Sequence, residues 1–178
     1  RRPQVPSAAR YRAATARALV VTATSSRQTR CVSRTTVHAA AKVNLVLRVG
    51  KLREDGYHEL ESLMVPVGLC DKIELGAEPS DQTEIEVVAG GQERVPAGES
   101  NIAGRAARRV LDALAVKARV RIAVEKRIPV GAGLGGGSSD AASVIRGLPG
   151  LLGRQLAGDH AAGIAFSLGA DVPFCLAG

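Results

Sequence analysis

The chain is poor in aromatic side chains, with two Phe, two Tyr and no Trp among its 178 residues. Hydrophobic residues nevertheless make up 46% of the sequence, so Val, Leu, Ile and Ala must fill the core. No segment reaches the roughly 18–20 consecutive apolar residues that a membrane-spanning helix requires. The composition therefore predicts one domain of ordinary size with an aliphatic core and no membrane partner.

Cysteine is scarce as well, with Cys31, Cys70 and Cys175 as the only three in the sequence. Their spacing is not that of a metal site, and Cys31 lies in an N-terminal segment that we expect to be removed. Cys70 and Cys175 are therefore predicted to be buried structural thiols.

Acidic residues are absent from the beginning of the chain, where Glu54 is the first carboxylate. Residues 1–36 contain eight of the 24 basic residues, all of them arginines, which leaves 16 basic against 17 acidic residues in the rest. The net charge of +7 therefore comes from this leader. Because the remaining body is close to neutral, the charge does not predict a nucleic-acid partner.

The leader is rich in Arg, Ser, Thr and Ala and has no apolar run of the about 7–15 residues that a secretory signal needs. This composition is typical of an organelle transit peptide, although it does not distinguish mitochondria from chloroplasts. A disordered basic tail that contacts nucleic acid is the alternative. We predict a disordered transit peptide over residues 1–36 and a folded domain over residues 37–178.

The body of the chain alternates between strand and helix patterns. Two-residue alternation predicts strands at 42–50, 63–67, 72–75, 84–87 and 119–126. Helical spacing predicts helices at 102–116, capped by Ser100 or Asn101, at 138–144, shortened by Pro149, and at 159–168. Residues 169–174 are predicted to form a loop that leads into a strand. The fold class is therefore α+β, with a largely antiparallel sheet.

The strongest signal for function is the segment 131–140, GAGLGGGSSD, which has five glycines in its first seven residues. Such a backbone bends tightly and allows a ligand to approach closely. A helix that begins directly afterwards offers unpaired N–H groups and a positive dipole end, which favour an anion. Ser138 and Ser139 add hydroxyls that can reach a phosphate or a phosphate-bound Mg²⁺. A flexible hinge is the alternative, but hinges rarely end in Ser-Ser-Asp at a helix start.

Two common phosphate-binding patterns fit this segment less well. The P-loop pattern requires a Lys after the last glycine, and none is present. The dinucleotide pattern GxGxxG matches Gly131, Gly133 and Gly136, but its preceding strand should be a continuous apolar run. Here that strand is RVRIAVEK, in which charges alternate with apolar residues. A nicotinamide-dependent oxidoreductase is therefore a distant alternative.

Residues 129–139, PVGAGLGGGSS, resemble the phosphate-binding motif of the GHMP kinases, named for galactose, homoserine, mevalonate and phosphomevalonate kinases. Three further segments resemble the diphosphocytidyl-methylerythritol kinases of that superfamily: 41–45 (AKVNL), 53–60 (REDGYHEL) and 169–174 (GADVPF). The four matches follow one another in the family's order. They imply a GHMP kinase N-terminal domain (ribosomal protein S5 domain 2-like) with helices on one side of the sheet. They also imply that the family's C-terminal domain, which closes the substrate cleft, is missing from this sequence.

The resemblance implies an ATP-dependent phosphorylation of the 2-hydroxyl of the methylerythritol moiety in the non-mevalonate isoprenoid pathway. It implies ATP and Mg²⁺ as cofactors, a small-molecule substrate and a monomer or weak homodimer. Plants and algae house this pathway in plastids, so the leader would direct the protein to the chloroplast stroma. A homoserine- or mevalonate-type kinase, or a nucleotide-binding module without turnover, remains an alternative.

The resemblance also assigns roles to individual residues. Asp171 would be the base that takes the proton of the substrate hydroxyl, and Lys42 would keep Asp171 ionised and stabilise the developing alkoxide. Tyr57 would stack on the cytosine ring and His58 would hydrogen-bond its polar edge. Asn44 would orient the catalytic groups or the substrate.

The implied ATP site combines the glycine-rich segment with two positions near the adenine, and Ser138 would also be the Mg²⁺ ligand. Its residues are Pro129, Val130, Gly131, Ala132, Gly133, Leu134, Gly135, Gly136, Gly137, Ser138, Ser139, Asn101 and Lys126.

Overall fold

The computed structural model describes residues 32–52, 56, 58–90 and 96–178. Four strands and four α-helices are present in this part of the chain, together with a short 3-10 turn at Gly98–Ser100. The strands are β1 (Ser33–Leu52), β2 (His58–Pro79), β3 (Glu84–Gly90) and β4 (Ala118–Glu125). The helices are α1 (Ile102–Leu114), α2 (Gly136–Leu151), α3 (Gly158–Leu168) and α4 (Val172–Ala177).

The strands form one sheet with the order β1-β2-β4-β3. β1 pairs with β2 and β2 with β4 in antiparallel fashion, whereas β3 and β4 are parallel. The parallel pair arises because α1 connects β3 to β4, and a parallel pair needs such a crossover. The predicted α+β fold with a largely antiparallel sheet is therefore confirmed.

The core lies between one face of the sheet and the helices. Val120, Ile122 and Val124 of β4 are buried at every second position, together with aliphatic residues of α1 and α2 such as Leu111 and Leu148. Among the described residues, the buried hydrophobic side chains are all Ala, Val, Leu or Ile. This agrees with the aliphatic core that the low aromatic content predicts.

The opposite face of the sheet is charged and exposed. Arg119 of β4 lies 2.7 Å from both Glu78 and Glu84, and Arg121 lies 3.1 Å from Glu86. Exposed ion pairs of this kind contribute little to stability, typically about 0–1 kcal/mol each. The alternation of charged and apolar residues in RVRIAVEK therefore reflects a strand with one buried and one solvent-exposed face.

β1 begins at Ser33, so residues 33–36 of the predicted leader belong to the sheet. In this stretch Ser33 pairs with Ala77 and Thr36 with Glu74. Residues 1–31 lie outside the described residues, and the transit peptide remains a prediction.

β2 is also longer than predicted, because one strand covers both segments that the sequence pattern separated. In the outer part of the β1–β2 pair, Leu45, Leu47 and Val49 are each more than half exposed.

Two helical predictions were wrong in their extent. α2 continues to Leu151 because Pro149 lies in its last turn, where the missing N–H removes only one helical hydrogen bond. α1 ends at Leu114 rather than at residue 116, since Ala115 adopts a left-handed conformation with a φ of 52°.

The segment after α3 was also predicted incorrectly. Val172–Ala177 forms α4 instead of a loop that leads into a strand. Pro173 is compatible with a helix here because it lies in the first turn, where its missing N–H has no partner within the helix. None of the helices in the described part of the chain is long and apolar enough to cross a membrane.

Candidate active site

The glycine-rich segment connects β4 to α2 and forms the centre of the candidate site. Gly131, Gly133 and Gly135 have φ angles of +76°, +73° and +70°. Other residues adopt this left-handed region only at a cost, which explains why glycines recur at every second position. The carbonyl oxygen of Gly135 accepts a hydrogen bond of 2.9 Å from the Ser139 N–H and so opens α2.

The same segment packs directly against β1 at Lys42. The Lys42 N–H donates a hydrogen bond of 2.9 Å to the carbonyl oxygen of Leu134. A Cβ atom on Gly135 would lie only 2.9 Å from Cγ of Lys42. The close approach therefore fixes the loop on the strand that carries Lys42.

A pocket of about 270 Å³ opens beside this loop. One wall is the loop itself with Lys126 and Asp140, and the other is the beginning of α1 with Asn101 and Arg105. The first N–H groups of α2 have no partner within the helix and carry its positive dipole end. The pocket is therefore suited to a phosphate group, and Ser138 lies half-buried in the first turn of α2.

The two residues predicted to be catalytic lie next to each other. Nζ of Lys42 is 3.2 Å from Oδ2 of Asp171, although the two residues are far apart in sequence. The same Nζ donates a hydrogen bond of 3.2 Å to Oδ1 of Asn44. The Lys42 side chain is 8% exposed and that of Asp171 35%, so the carboxylate is the member of the pair that a substrate can reach.

A β-bulge turns Lys42 toward this site. Neighbouring strand residues normally point to opposite faces, yet Ala41 and Lys42 are both buried. The pairing of β1 with β2 shifts register between Ala40 and Lys42, and a bulge of this kind redirects a side chain. The amino-acid sequence contains no obvious signal for this shift.

Lys126 lies in the pocket wall, but two buried carboxylates already bind its ammonium group. Nζ of Lys126 is paired with Oδ2 of Asp71 and lies 3.0 Å from Oδ2 of Asp140. Asp71 also accepts hydrogen bonds of 2.6 and 2.8 Å from the N–H groups of Arg127 and Ile128. Asp71 therefore ties the strand end before the glycine loop to β2.

The charges in this cluster shift one another's pKa values. Burial raises the pKa of Asp140 to about 7, against the opposing effect of Lys126. Burial acts to lower the pKa of Lys126, but the charges and hydrogen bonds of Asp140 and Asp71 outweigh it and raise that pKa. Oδ1 of Asp140 is buried and accepts no hydrogen bond from the described residues.

Sequence reasoning missed both carboxylates of this cluster. Asp140 is the last residue of the glycine-rich segment, and Asp71 directly follows a largely apolar stretch (LMVPVGLC). An acid at the end of such a stretch is the one signal that could have indicated a buried charge with a partner.

Asn101 lines the pocket as the N-cap of α1. Its Oδ1 accepts a hydrogen bond of 2.8 Å from the Ala103 N–H, and its Nδ2 donates one of 3.1 Å to the Pro96 carbonyl. Because both ends of the side chain are engaged, Asn101 shapes the pocket wall. This settles the N-cap at Asn101 rather than Ser100.

His58, which was predicted to bind cytosine, lies at the start of β2 and is not among the residues that line this pocket. His58 is exposed, and its Nδ1 lies 3.1 Å from the carbonyl oxygen of Gly50. Tyr57 lies outside the described residues, so its stacking role remains a prediction.

Both remaining cysteines are only half-buried, which corrects the prediction of buried thiols. Burial nevertheless raises the pKa of Cys175 to about 11, with a further contribution from Asp171. A thiol with this pKa is protonated at neutral pH and is therefore a poor nucleophile.

The chain is similar to known kinases over most of its length. Residues 101–178 match the family described as GHMP kinases N terminal domain. A protein of Geobacter sulfurreducens named 4-diphosphocytidyl-2-C-methyl-D-erythritol kinase is 48% identical over 143 residues, which cover 80% of this chain and 50% of that protein. A protein of the same name from Paramagnetospirillum magneticum is 44% identical over 142 residues, covering 80% and 49%.

Solved structures give the same result. A crystal structure of 4-(cytidine 5'-diphospho)-2C-methyl-D-erythritol kinase superposes with a TM-score of 0.64 at 45% identity, covering 80% of this chain and 48% of that one. The homoserine kinase of Cytophaga hutchinsonii shares the fold alone, with a TM-score of 0.57 at 19% identity over 83% of this chain and 43% of that one. The chain spans about half the length of the curated relatives it matches. It carries the N-terminal domain of the GHMP kinases, matched over residues 101–178.

Proposed function

We propose that the protein is an ATP-dependent kinase that phosphorylates the 2-hydroxyl of 4-diphosphocytidyl-2-C-methyl-D-erythritol. The observation that carries this proposal is the Lys42–Asp171 ion pair, held at 3.2 Å beside a glycine loop that opens α2. The names of relatives at 44–48% identity support the choice of substrate.

Asp171 would accept the proton of the attacking hydroxyl. An alcohol is a weak nucleophile at neutral pH and gains from a positioned base. The ammonium group of Lys42, 3.2 Å from Oδ2 of Asp171, would hold this carboxylate in place beside the attacking hydroxyl. Because Lys42 is nearly buried, its charge is poorly screened and would also stabilise the alkoxide that develops.

The phosphates of ATP would lie at the N-terminus of α2. The glycines of the loop have no side chains, so its backbone can approach the phosphates closely. At Gly135 the missing side chain also leaves room for Lys42. Ser138, half-buried in the first turn of α2, has a hydroxyl that fits as a ligand of Mg²⁺. When bound, Mg²⁺ would neutralise phosphate charge, which phosphoryl transfer requires.

His58 would bind the polar edge of cytosine. A ring nitrogen 3.1 Å from a carbonyl oxygen carries the proton and donates to it, so Nδ1 of His58 is the donor to Gly50. Nε2 is then an acceptor and can receive a hydrogen bond from the exocyclic amine of cytosine. Tyr57 would stack on the ring beside it.

We also propose that residues 1–36 contain a transit peptide and that the protein acts in the plastid branch of isoprenoid synthesis, as a monomer or weak homodimer. The acid-free, arginine-rich composition of the leader supports an organelle transit peptide, and the choice of the plastid rests on the pathway that the resemblance implies.

A hybrid enzyme tests the proposed reaction. Residues 32–178 of this chain, which include the whole of β1, would replace the matching half of the Geobacter sulfurreducens relative, with which the chain shares 48% identity. We expect ADP release that depends on the diphosphocytidyl substrate and is not supported by homoserine or mevalonate. A hybrid that folds and binds ATP but shows no such turnover, beside an active parent enzyme, would contradict the proposal.

Variants of the hybrid test the catalytic pair. Asp171→Asn should lower kcat by about 10²–10⁴-fold, the usual contribution of a general base, with little change in KM. Lys42→Met should cause a similar loss, and the double variant should lose little more because the two residues act as one unit. Additive losses would show that the residues act independently.

Nucleotide choice can be measured on the chain itself. Calorimetric titration should show binding of ATP in preference to NAD⁺ or NADH. Preference for a dinucleotide would contradict the assignment of the glycine loop.

A further inference from the structure

Among the residues that the structure describes, two cationic side chains line the pocket wall, and they differ in whether an acid already binds them. Lys126 is bound to Asp71 and Asp140, so this cluster of one cation and two carboxylates does not supply positive charge to a ligand. The other cation is Arg105, on α1. ATP carries several negative charges, and a cationic side chain in the pocket would add to the compensation that Mg²⁺ and the helix dipole would supply.

Arg105 is placed to supply this charge. It lies one turn after Asn101, the N-cap of α1, and helical side chains lean toward the N-terminus of their helix. Its side chain therefore leans toward the end of α1 that borders the pocket, and Arg105 lines the pocket together with the glycine loop. The residue is exposed and makes no ion pair with any of the described acids.

Neither of the neighbouring arginines of α1 combines a position in the pocket wall with the absence of an ion pair to the described acids. Arg108 is paired with Glu99, with Nη2 at 2.6 Å from Oε1. Arg109 is exposed like Arg105 but does not line the pocket. Arg105 is therefore the arginine of α1 that combines an uncompensated charge with access to the ligand.

We propose that Arg105 binds a phosphate group of ATP across the pocket from the glycine loop. The proposal rests on the proposed function, because it takes ATP as the ligand. A guanidinium group can hold two phosphate oxygens at once, whereas an ammonium acts as a point charge. Arg105 would thus be a binding residue that contributes affinity for the phosphates and none for the nucleoside.

Binding of ATP and of adenosine to the 178-residue chain tests this assignment. Calorimetry would compare the wild type with Arg105→Ala, Arg105→Lys and the matched control Arg109→Ala, an exposed arginine one turn further along α1. We expect Arg105→Ala to weaken ATP binding about tenfold, as the loss of a charge-assisted hydrogen bond does. Arg105→Lys should recover part of this loss, and Arg109→Ala should bind ATP like the wild type. Adenosine should bind all four proteins equally.

Three results would overturn the proposal. ATP binding by Arg105→Ala that equals that of the wild type would show that Arg105 does not contact the ligand. An equal loss for ATP and adenosine would place Arg105 on the nucleoside instead of the phosphates. Failure of the wild type and of Arg109→Ala to bind ATP would overturn the proposed function and this inference with it. Thermal unfolding of each variant shows whether the fold is retained, which we expect because Arg105 is exposed.

Discussion

At the scale of single residues, Gly135 shows how closely the nucleotide loop and the catalytic lysine are packed. Replacing Gly135 by Ala would introduce a Cβ 2.9 Å from Cγ of Lys42, at a backbone φ of +70°. We expect this substitution to displace Lys42 and to abolish measurable ATP binding, and in the hybrid enzyme to lower turnover. Calorimetry and ADP release measure the two effects.

Gly133→Ala is the matched control for this prediction. Gly133 has nearly the same φ, +73°, but no atom lies within 4 Å of the position that its Cβ would take. Both variants carry the cost of a left-handed residue, about 1–2 kcal/mol, and only Gly135→Ala adds the contact with Lys42. Equal losses of ATP binding in the two variants would show that the contact is unimportant.

Asp71 is the residue on which we expect the stability of the site to depend most. It is fully buried and accepts hydrogen bonds from Lys126, Arg127 and Ile128. Asp71→Ala would leave the N–H groups of Arg127 and Ile128 without this acceptor and Lys126 with Asp140 alone, and it should lower the free energy of unfolding by about 3–5 kcal/mol. Urea denaturation followed by circular dichroism measures the loss.

Glu74→Ala provides the comparison on the same strand. Glu74 is paired with Lys72 at 2.7 Å, but its side chain is 61% exposed. Solvent screens such a pair, so the loss should be much smaller than that of Asp71→Ala. A similar loss for both variants would contradict the view that burial gives Asp71 its importance.

At the scale of secondary-structure elements, the contact between α1 and the 3-10 turn at Gly98–Ser100 depends on Gly104. A Cβ on Gly104 would overlap the carbonyl oxygen of Gly98, and Val87 of β3 lies close by. We expect Gly104→Ala to force α1 away from the turn and to lower the midpoint of thermal unfolding, although alanine favours a helix.

Gly150→Ala in α2 is the control, because no atom lies within 4 Å of the Cβ position there. With space available, the substitution should raise stability by up to about 1 kcal/mol through helix propensity. Opposite effects at the two helical glycines are expected. A rise in stability for both would show that the Gly98 carbonyl moves away easily.

At the scale of the whole molecule, the boundary between leader and fold can be tested by two deletions. A chain that begins at Val32 should unfold at the same temperature as the full chain, because the predicted transit peptide is expected not to contribute to the fold. A chain that begins at Val37 also loses the pairing of Ser33–Thr36 with β2. We expect its free energy of unfolding to fall by roughly 1–3 kcal/mol, which is the net contribution of a few strand hydrogen bonds. Equal unfolding temperatures for the two truncated chains would contradict this boundary.

Much of the fold was predictable because its signals are local. The alternation of β4 identified its buried face, and the pair Ser100 and Asn101 with the apolar spacing behind it identified the start of α1 to within one residue. The extent of α2 and the existence of α4 were missed because a proline breaks a helix in its interior but is tolerated near either end. Pro149 lies in the last turn of α2, and Pro173 lies in the first turn of α4. Packing of the surrounding chain decides between these outcomes.

The sequence by itself determined the glycine loop, the segments that carry Lys42 and Asp171, and the family, because each depends on a short run of residues. Only the tertiary structure decided which charges the pocket can use. Lys126 and Asp71 are 55 residues apart in sequence and meet in a buried ion pair, whereas Arg105 on the opposite wall has no ion pair with an acid in the described part of the chain. A lysine is neutralised by acids that the fold brings next to it. A local sequence pattern does not show which distant acids those are.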